Sequence, residues 1–230
     1  MEKKLLPLYM DLRSRPVVIF GGGRVAQRKA ALFSQHAPVT VVSKDFTATL
    51  EDMAEAGQIK LVYADLSQGC DVDCYLNGAF MAIPATSNPE VNRSIEEQAS
   101  MHGMLVNRVD GIGDVVVPSI IRRGPVTIAI SSMGTSPALS KYIRIKLERD
   151  LTEDYSEMAR LLGEMRQYLK RTVPQQRTRA DILWEILSDQ EVWHLLHESY
   201  EKAYMRAREH APQDERDSLD AGNPPQGLHR

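Results

Sequence analysis

The stretch VVIFGGGRVAQRKAALF, residues 17–33, decides the fold. Four apolar residues run straight into three glycines. Arg24 then opens a segment in which Val25, Ala26, Ala30 and Phe33 recur near one face of a helix. Gly21-Gly22-Gly23-Arg24-Val25-Ala26 has the G-x-G-x-x-A form. In that form Gly21 permits a tight turn, and Gly23 leaves bare backbone for a pyrophosphate to approach. Ala26 lets the helix lie close to the strand, while the helix N-terminus offers free N–H groups and the positive end of its dipole. A glycine-rich turn with no ligand is the plainer reading. The strand before the motif, the helix within it and the strand after it favour a dinucleotide site.

Working outward, PVTVVS (38–43), IKLVYADL (59–66), AFMAIPAT (79–86) and MLVNRVD (104–110) read as further strands. NPEVNRSIEEQASMHG (88–103) reads as a helix capped by Asn88, with Pro89 at its first position and Gly103 at its end. Strands alternating with helices predict parallel βαβ units and a doubly wound α/β sheet of the Rossmann type. The pattern changes near Pro118. Residues 115–134 read as two β segments joined by a turn at Arg123, Gly124 and Pro125. A helix then starts with Ser136 as cap and Pro137 first inside. From about Thr152 to about His210 the signal is helical, broken around TVPQQRTR. The expected organisation is a Rossmann domain over 1–115, a β-containing dimerisation segment over 116–150, a small helical domain over 151–210 and a disordered tail over 211–230.

Composition narrows the function classes. The 230 residues carry a formal net charge of −3, which gives no global basic field for nucleic acid. The N-terminus is interrupted by Asp11 and Arg13, so neither a signal peptide nor a membrane span is expected, and a cytoplasmic protein is. Cys70 and Cys74 lack the second pair or the nearby histidine that would complete a metal site, so reduced thiols and no metal are expected.

The end of the second strand is where an adenosine ribose would rest. An acidic residue about 20 positions after the glycines is the usual NAD feature. Here Ser43, Lys44 and Asp45 stand in that place. Asp45 suits the ribose hydroxyls and Lys44 suits a 2′-phosphate, so cofactor class is more firmly read than cofactor choice. Thr86, ending the fourth strand, is placed to touch the cofactor or to complete a turn after Pro84. Asp110, at the end of the fifth strand, is either a general base at the cleft or a turn cap before Gly111. Arg122, Arg123, Lys141, Arg144 and Lys146 form a cationic run suited to binding carboxylates, or a solvated helix face. His194 and His197 share a helix face and read as packed edge positions. Trp184, Leu187, Trp193 and Leu196 read as core.

Several segments together resemble one family: LPLYMDLRSRPVVIFGGGRVAQRKA, LVNRVD and VPSIIRRGPVTIAISSMGTSPALSKYIRIKLE, with the trailing helices. The chain resembles the precorrin-2 dehydrogenase/sirohydrochlorin ferrochelatase family, the N-terminal module of siroheme synthase, over roughly residues 5 to 190. The resemblance implies a Rossmann domain, an intertwined homodimer, and NAD-dependent oxidation of precorrin-2 to sirohydrochlorin. In some members ferrous iron is then inserted to give siroheme. By position Arg24, Val25, Lys44 and Asp45 match the family's cofactor contacts and Asp110 its functional aspartate; Gly21, Gly22, Gly23, Ser43 and Thr86 are the further cofactor contacts expected from the motif and the strand ends. The tetrapyrrole is expected on Arg123, Ser132, Ser136 and Lys141; Ser132 also matches a serine phosphorylated in some relatives. The chain departs from the family in the seven residues GIGDVVV after Asp110, in Arg122 where aspartate is common, and in Met133 within the following turn. A different class of function, a nucleotide-sensing module without catalysis, shares the fold. The pairing of NRVD with GPVTIAIS is the feature that argues against it.

Overall fold

The computed structural model describes residues 4–66 and 72–212. Cys70 and most of the tail lie outside them. The chain divides into two compact units, one of residues 1–118 and 131–137, the other of residues 119–130 and 138–230.

The first unit is a five-stranded parallel sheet. Its strands are β1 (Val17–Phe20), β2 (Val39–Ser43), β3 (Lys60–Tyr63), β4 (Met81–Pro84) and β5 (Leu105–Val106), in the order β3-β2-β1-β4-β5. Every residue of β1 and β4 is buried, as expected of strands covered on both faces. The helices are α1 (Arg24–Phe33), α2 (Ala48–Glu55), α3 (Asp73–Leu76) and α4 (Pro89–Met101). The sheet has a core on each side. On one side Val17, Ile19, Val41 and Ile83 pack with Ala26, Ala30 and Phe33 of α1 and Leu50 of α2. On the other, Val18, Phe20, Val42 and Ala82 pack with Leu76, Ile95 and Ala99. Ala26 is fully buried, so a larger side chain there would overpack the contact between α1 and the sheet at a cost of about 1–3 kcal/mol. Asn88 caps α4, its side chain accepting from the Glu90 N–H at 2.9 Å.

The helices α2 and α3 were not foreseen. The fifth strand is two residues long and ends at Val106, so Asp110 sits in the loop beyond it. The cause is side-chain capture: Asp114 Oδ2 accepts the Val106 N–H at 3.2 Å, and Asn107 donates to the Val115 carbonyl at 2.7 Å.

The second unit begins with an antiparallel hairpin, β6 (Ser119–Arg123) and β7 (Val126–Ile130), paired from Ser119↔Ile130 to Arg123↔Val126. Gly124 makes its turn at φ +53, a conformation that favours glycine, and a Cβ there would strike the Ser156 hydroxyl. Five helices complete the unit: α5 (Pro137–Asp150, in this unit from Ala138), α6 (Asp154–Thr172), α7 (Gln176–Ser188), α8 (Gln190–Glu198) and α9 (Tyr200–Arg208). Met158, Leu161, Met165 and Leu169 of α6 form the centre of its core, with Ile182, Ile186 and Val192. Leu187, Trp193 and Leu196 pack against this cluster. Trp184 does not, since it is 66% exposed. Ile182 and Ile186 define the buried face of α7, and Trp184 lies on the opposite side of the helical wheel. Asp189 caps α8 by accepting the Glu191 N–H at 2.9 Å, and also accepts from Arg206 Nε at 2.8 Å. Among the described residues, no helix is long and apolar enough to cross a membrane, and no three His, Cys, Asp or Glu side chains group as a metal site.

Candidate functional site

A cleft of about 550 Å³ opens at the C-terminal edge of the parallel sheet. It lies where β1 gives way to α1 and β4 to α4, flanked by the end of β2, at the point where strand order reverses from β1. Open α/β sheets bind ligands at such a switch point.

The three glycines do different work. Gly21 has φ +116, and a Cβ there would lie 2.5 Å from the Ala85 carbonyl oxygen. Gly22 lies so close to Asp45 that a Cβ would overlap its carbonyl oxygen, while the Gly22 carbonyl accepts the Thr47 N–H at 3.1 Å. These two let neighbouring backbone close on the turn. Gly23 is the opposite case. It is extended, at φ −85 and ψ −173, and a Cβ there would meet no atom within 4 Å. The space above it opens into the cleft, at the N-terminus of a ten-residue helix whose first turn carries no acidic side chain and whose cap has no side-chain hydrogen bond. An incoming anion meets free N–H groups and no competing carboxylate.

Arg24 and Val25 continue the wall from α1, and Ser43, Lys44 and Asp45 form the opposite lip. Ser43 is buried at the end of β2, whereas Lys44 and Asp45 are exposed. The sequence therefore supplies nine candidate contacts, Gly21 to Val25, Ser43 to Asp45 and Thr86, and all nine line this one cleft. Thr86 is held rigidly: its N–H and its hydroxyl both donate to Asn92 Oδ1, at 3.0 and 2.7 Å, and Asn92 Nδ2 donates back to the Thr86 carbonyl at 3.1 Å. Asn92 is buried in α4 and was not foreseen as part of the site. Nor were Phe46, Ala64, Asp65 and Leu66, which line the far end of the cleft. Phe46 stands edge-on to Tyr63 with ring centroids 4.9 Å apart.

Asp110 is not among the residues lining the cleft. It lies in the loop after β5, beside β4, along the same edge of the sheet. Its side chain is 59% exposed and its carboxylate lies 3.5 Å from Arg108 NH2; Arg108 in turn reaches Glu96 of α4 at 3.3 Å. The loop is closed at its base. Asp114 and Val115 both donate their N–H groups to the Val106 carbonyl, at 2.9 and 3.3 Å. Gly113 packs so tightly there that a Cβ would overlap the same carbonyl oxygen. Asn107 is buried at the root of the loop, and Lys29 of α1 donates to its Oδ1 at 2.7 Å. Burial, reinforced by neighbouring Arg28, holds the Lys29 ammonium below the ordinary lysine range.

The four expected tetrapyrrole contacts fall in both units. Ser132 and Ser136 of the first unit bind each other: the Ser136 N–H donates to Ser132 Oγ at 3.1 Å, and Ser132 Oγ donates to the Ser136 carbonyl at 2.8 Å. This pair closes a turn in which Met133 takes φ +49, an uncommon conformation for a residue with a side chain. Arg123, in the second unit, donates from Nε to the Leu151 carbonyl at 2.7 Å and pairs with Glu153 at 3.4 Å, so its guanidinium is engaged at the junction of α5 and α6. Lys141 is exposed on α5. His194 pairs with Glu198 at 3.4 Å and His197 with Asp154 at 3.2 Å.

Comparison with known proteins accounts for most of the chain. Residues 8–119 match the NAD(P)-binding family model, and residues 123–150 match the model for the sirohaem biosynthesis protein central region. A precorrin-2 dehydrogenase from Methanosarcina barkeri is 48% identical over 204 residues, covering 88% of this chain and 91% of that protein. A siroheme synthase from Methylobacillus flagellatus is 35% identical over 183 residues, covering 78% of this chain but 38% of that longer protein. Among solved structures, the precorrin-2 dehydrogenase SirC superposes with a TM-score of 0.70 at 25% identity, covering 89% of this chain and all of that one. The chain belongs to the precorrin-2 dehydrogenase family.

Proposed function

We infer that this protein oxidises precorrin-2 to sirohydrochlorin with a nicotinamide dinucleotide, in siroheme biosynthesis. The observation that carries the reading is the open backbone at Gly23, at the head of α1, in a chain whose relative at 48% identity is a precorrin-2 dehydrogenase over nearly its whole length. The alternative of a nucleotide sensor without catalysis has no support among these relatives.

The cleft fits the cofactor on its own chemistry. The bare N–H groups of α1 suit the pyrophosphate, the Ser43–Asp45 lip suits the adenosine ribose, and Thr86 stands at the opposite side. We propose NAD as the cofactor, because Asp45 offers an acceptor to the ribose hydroxyls; Lys44 is the residue that would instead welcome a 2′-phosphate. When bound, the nicotinamide supplies the hydride acceptor. The chain's own task is to orient the macrocycle against it and to take the proton. Removing two hydrogens from precorrin-2 releases one as hydride and one as a proton, and Asp110 is the proposed proton acceptor. An exposed carboxylate on the sheet edge can reach a bulky ring that covers the cleft, without itself lining it. Its contact with Arg108 is half exposed and so weak, which leaves the carboxylate free to turn toward substrate. Ser132, Ser136, Arg123 and Lys141 are the proposed partners of the substrate carboxylates, in a homodimer working in the cytoplasm.

The test is to supply precorrin-2 and NAD+ and follow NADH formation. Wild-type protein is expected to turn over. Asp110→Asn keeps the shape but accepts no proton at neutral pH, so its rate should fall about 10²–10⁴-fold, with NAD+ affinity unchanged. The same pair of proteins, given sirohydrochlorin and ferrous iron, tests the second activity that the family resemblance implies; both reactions should fall together. Loss of iron insertion alone would remove Asp110 as the base of oxidation.

A further inference from the structure

We infer that Lys29 and Asn107 are positioning residues, a two-bond bracket that fixes the loop carrying Asp110 to the helix that cradles the cofactor. The inference rests on the reading of Asp110 as the proton acceptor.

The geometry of the bracket leaves little choice of residue. Lys29 Nζ has only hydrogens to offer, and the Val115 carbonyl has only lone pairs. A side chain that joins them must accept at one end and donate at the other. Asn107 does so: Oδ1 accepts from Lys29 at 2.7 Å, and Nδ2 donates to Val115 at 2.7 Å. The amide orientation is dictated by those partners. Asn107 is 3% exposed, and its own N–H donates to the Ala82 carbonyl of β4 at 3.0 Å, so its backbone is anchored in the sheet as well.

The bracket spans two parts of the active region that the sequence keeps 78 residues apart. Lys29 stands two turns or less into α1, whose N-terminus receives the pyrophosphate. Val115 is the far end of the loop, and Asp110 lies between it and Asn107. The chain needs no ammonium at this depth for packing alone, since an apolar side chain would avoid the desolvation of a mostly buried lysine. The arrangement instead sets the distance between the cofactor helix and the proton acceptor. A hydride acceptor and a base must hold the same ring at once, and an error near 1 Å in such a placement can cost about 10²-fold.

The variants separate the two arms. Asn107→Asp keeps the shape and still accepts from Lys29, but turns an oxygen toward the Val115 carbonyl and breaks the loop arm. Lys29→Met keeps the stem and breaks the helix arm. Both are measured in the wild-type and Asp110→Asn backgrounds, for kcat of precorrin-2 oxidation and for NAD+ affinity by calorimetry. In the wild-type background kcat should fall about 10- to 100-fold for Asn107→Asp, with NAD+ affinity within about threefold. In the Asp110→Asn background the same change should cost less than about twofold, because the group being positioned is already gone. Lys29→Arg should restore most of the activity that Lys29→Met loses. Equal losses in both backgrounds would overturn the inference and leave Asp110 standing, since the bracket would then serve the fold in general. A parallel loss of NAD+ affinity would overturn it too. Full activity of Asp110→Asn by itself would remove both the base and the bracket. If Asn107→Asp fails to fold, Lys29→Met alone decides by the same comparison.

Discussion

Gly23→Asp separates ligand binding from folding. Residue 23 has extended backbone that any amino acid adopts, and its missing Cβ would touch nothing within 4 Å. The fold therefore does not need the glycine. An aspartate at this N-cap can accept a backbone N–H from the first turn of α1, worth a few tenths of a kcal/mol over glycine. The unliganded protein should keep its melting temperature within about 2 °C. Cofactor binding should collapse. The new carboxylate fills the space above the helix N-terminus and takes its free donors. At about 4 Å from a phosphate charge its repulsion would be roughly 1 kcal/mol in water and roughly 4 kcal/mol at the effective dielectric of a protein surface. Affinity should fall between about fivefold and about a thousandfold from charge alone, with steric exclusion added. Thermal melting of the apo protein and calorimetric titration with NAD+ measure the two sides. NAD+ affinity within about threefold of wild type would show that the pyrophosphate lies elsewhere. A drop of more than about 5 °C in the apo melting temperature would show that the fold uses this position after all.

Three further outcomes are expected. Titration with both dinucleotides should favour NAD+ over NADP+, and a clear preference for NADP+ would hand the lip of the cleft to Lys44. Light scattering at micromolar concentration should give a homodimer, because Leu139, Tyr142 and Ile145 of α5 are 50, 65 and 40% exposed and the hairpin before it is only half covered; a monomer would refute this. The helical unit should lose stability in acid through Asp189. Burial pushes this carboxyl up, but hydrogen bonds from His210, the Glu191 N–H and Arg206 outweigh it and hold the group below the ordinary aspartate range. A depressed value means the contribution is complete above the unfolded value near 3.8 and is lost as pH falls through the lower folded value. Glu185 and Glu209 face His210 and Arg206, so the comparison is with Asp189→Asn, whose unfolding midpoint should vary less with pH below about 4.

What could be read from the sequence follows from burial. The strands β1, β2 and β4 are covered on both faces, so they appear as continuous apolar runs, and the glycines between β1 and α1 mark the site by their number alone. The α2 helix is eight residues long and buries only Leu50 and Met53, too faint a stripe to announce itself. The apolar run LV in 105–106 points to a strand, but nothing in it says where the strand ends; that is set by Asn107 and Asp114, through side-chain bonds to backbone eight residues away. The same blindness hid Lys29 and Asn92, polar residues whose partners are chosen by tertiary contact. Trp184 misled for a different reason. It is large and flanked by Ile182, Leu183 and Ile186, which points to core, yet the buried faces of α7 and α8 are complete without it.

The two tryptophans of the chain, Trp184 and Trp193, both stand in the helical unit. Trp193 donates its indole N–H to the Leu187 carbonyl at 2.8 Å and leans on Tyr155 with centroids 5.1 Å apart, while Trp184 faces solvent. Intrinsic indole fluorescence is therefore a private reporter of the helical unit, with one shielded emitter and one wet one. The parallel sheet is dark in that channel. A denaturation curve followed by indole emission and another followed by far-ultraviolet dichroism will superimpose only when both units melt as one, and a gap between their midpoints would read out the separate stability of the cofactor-binding sheet.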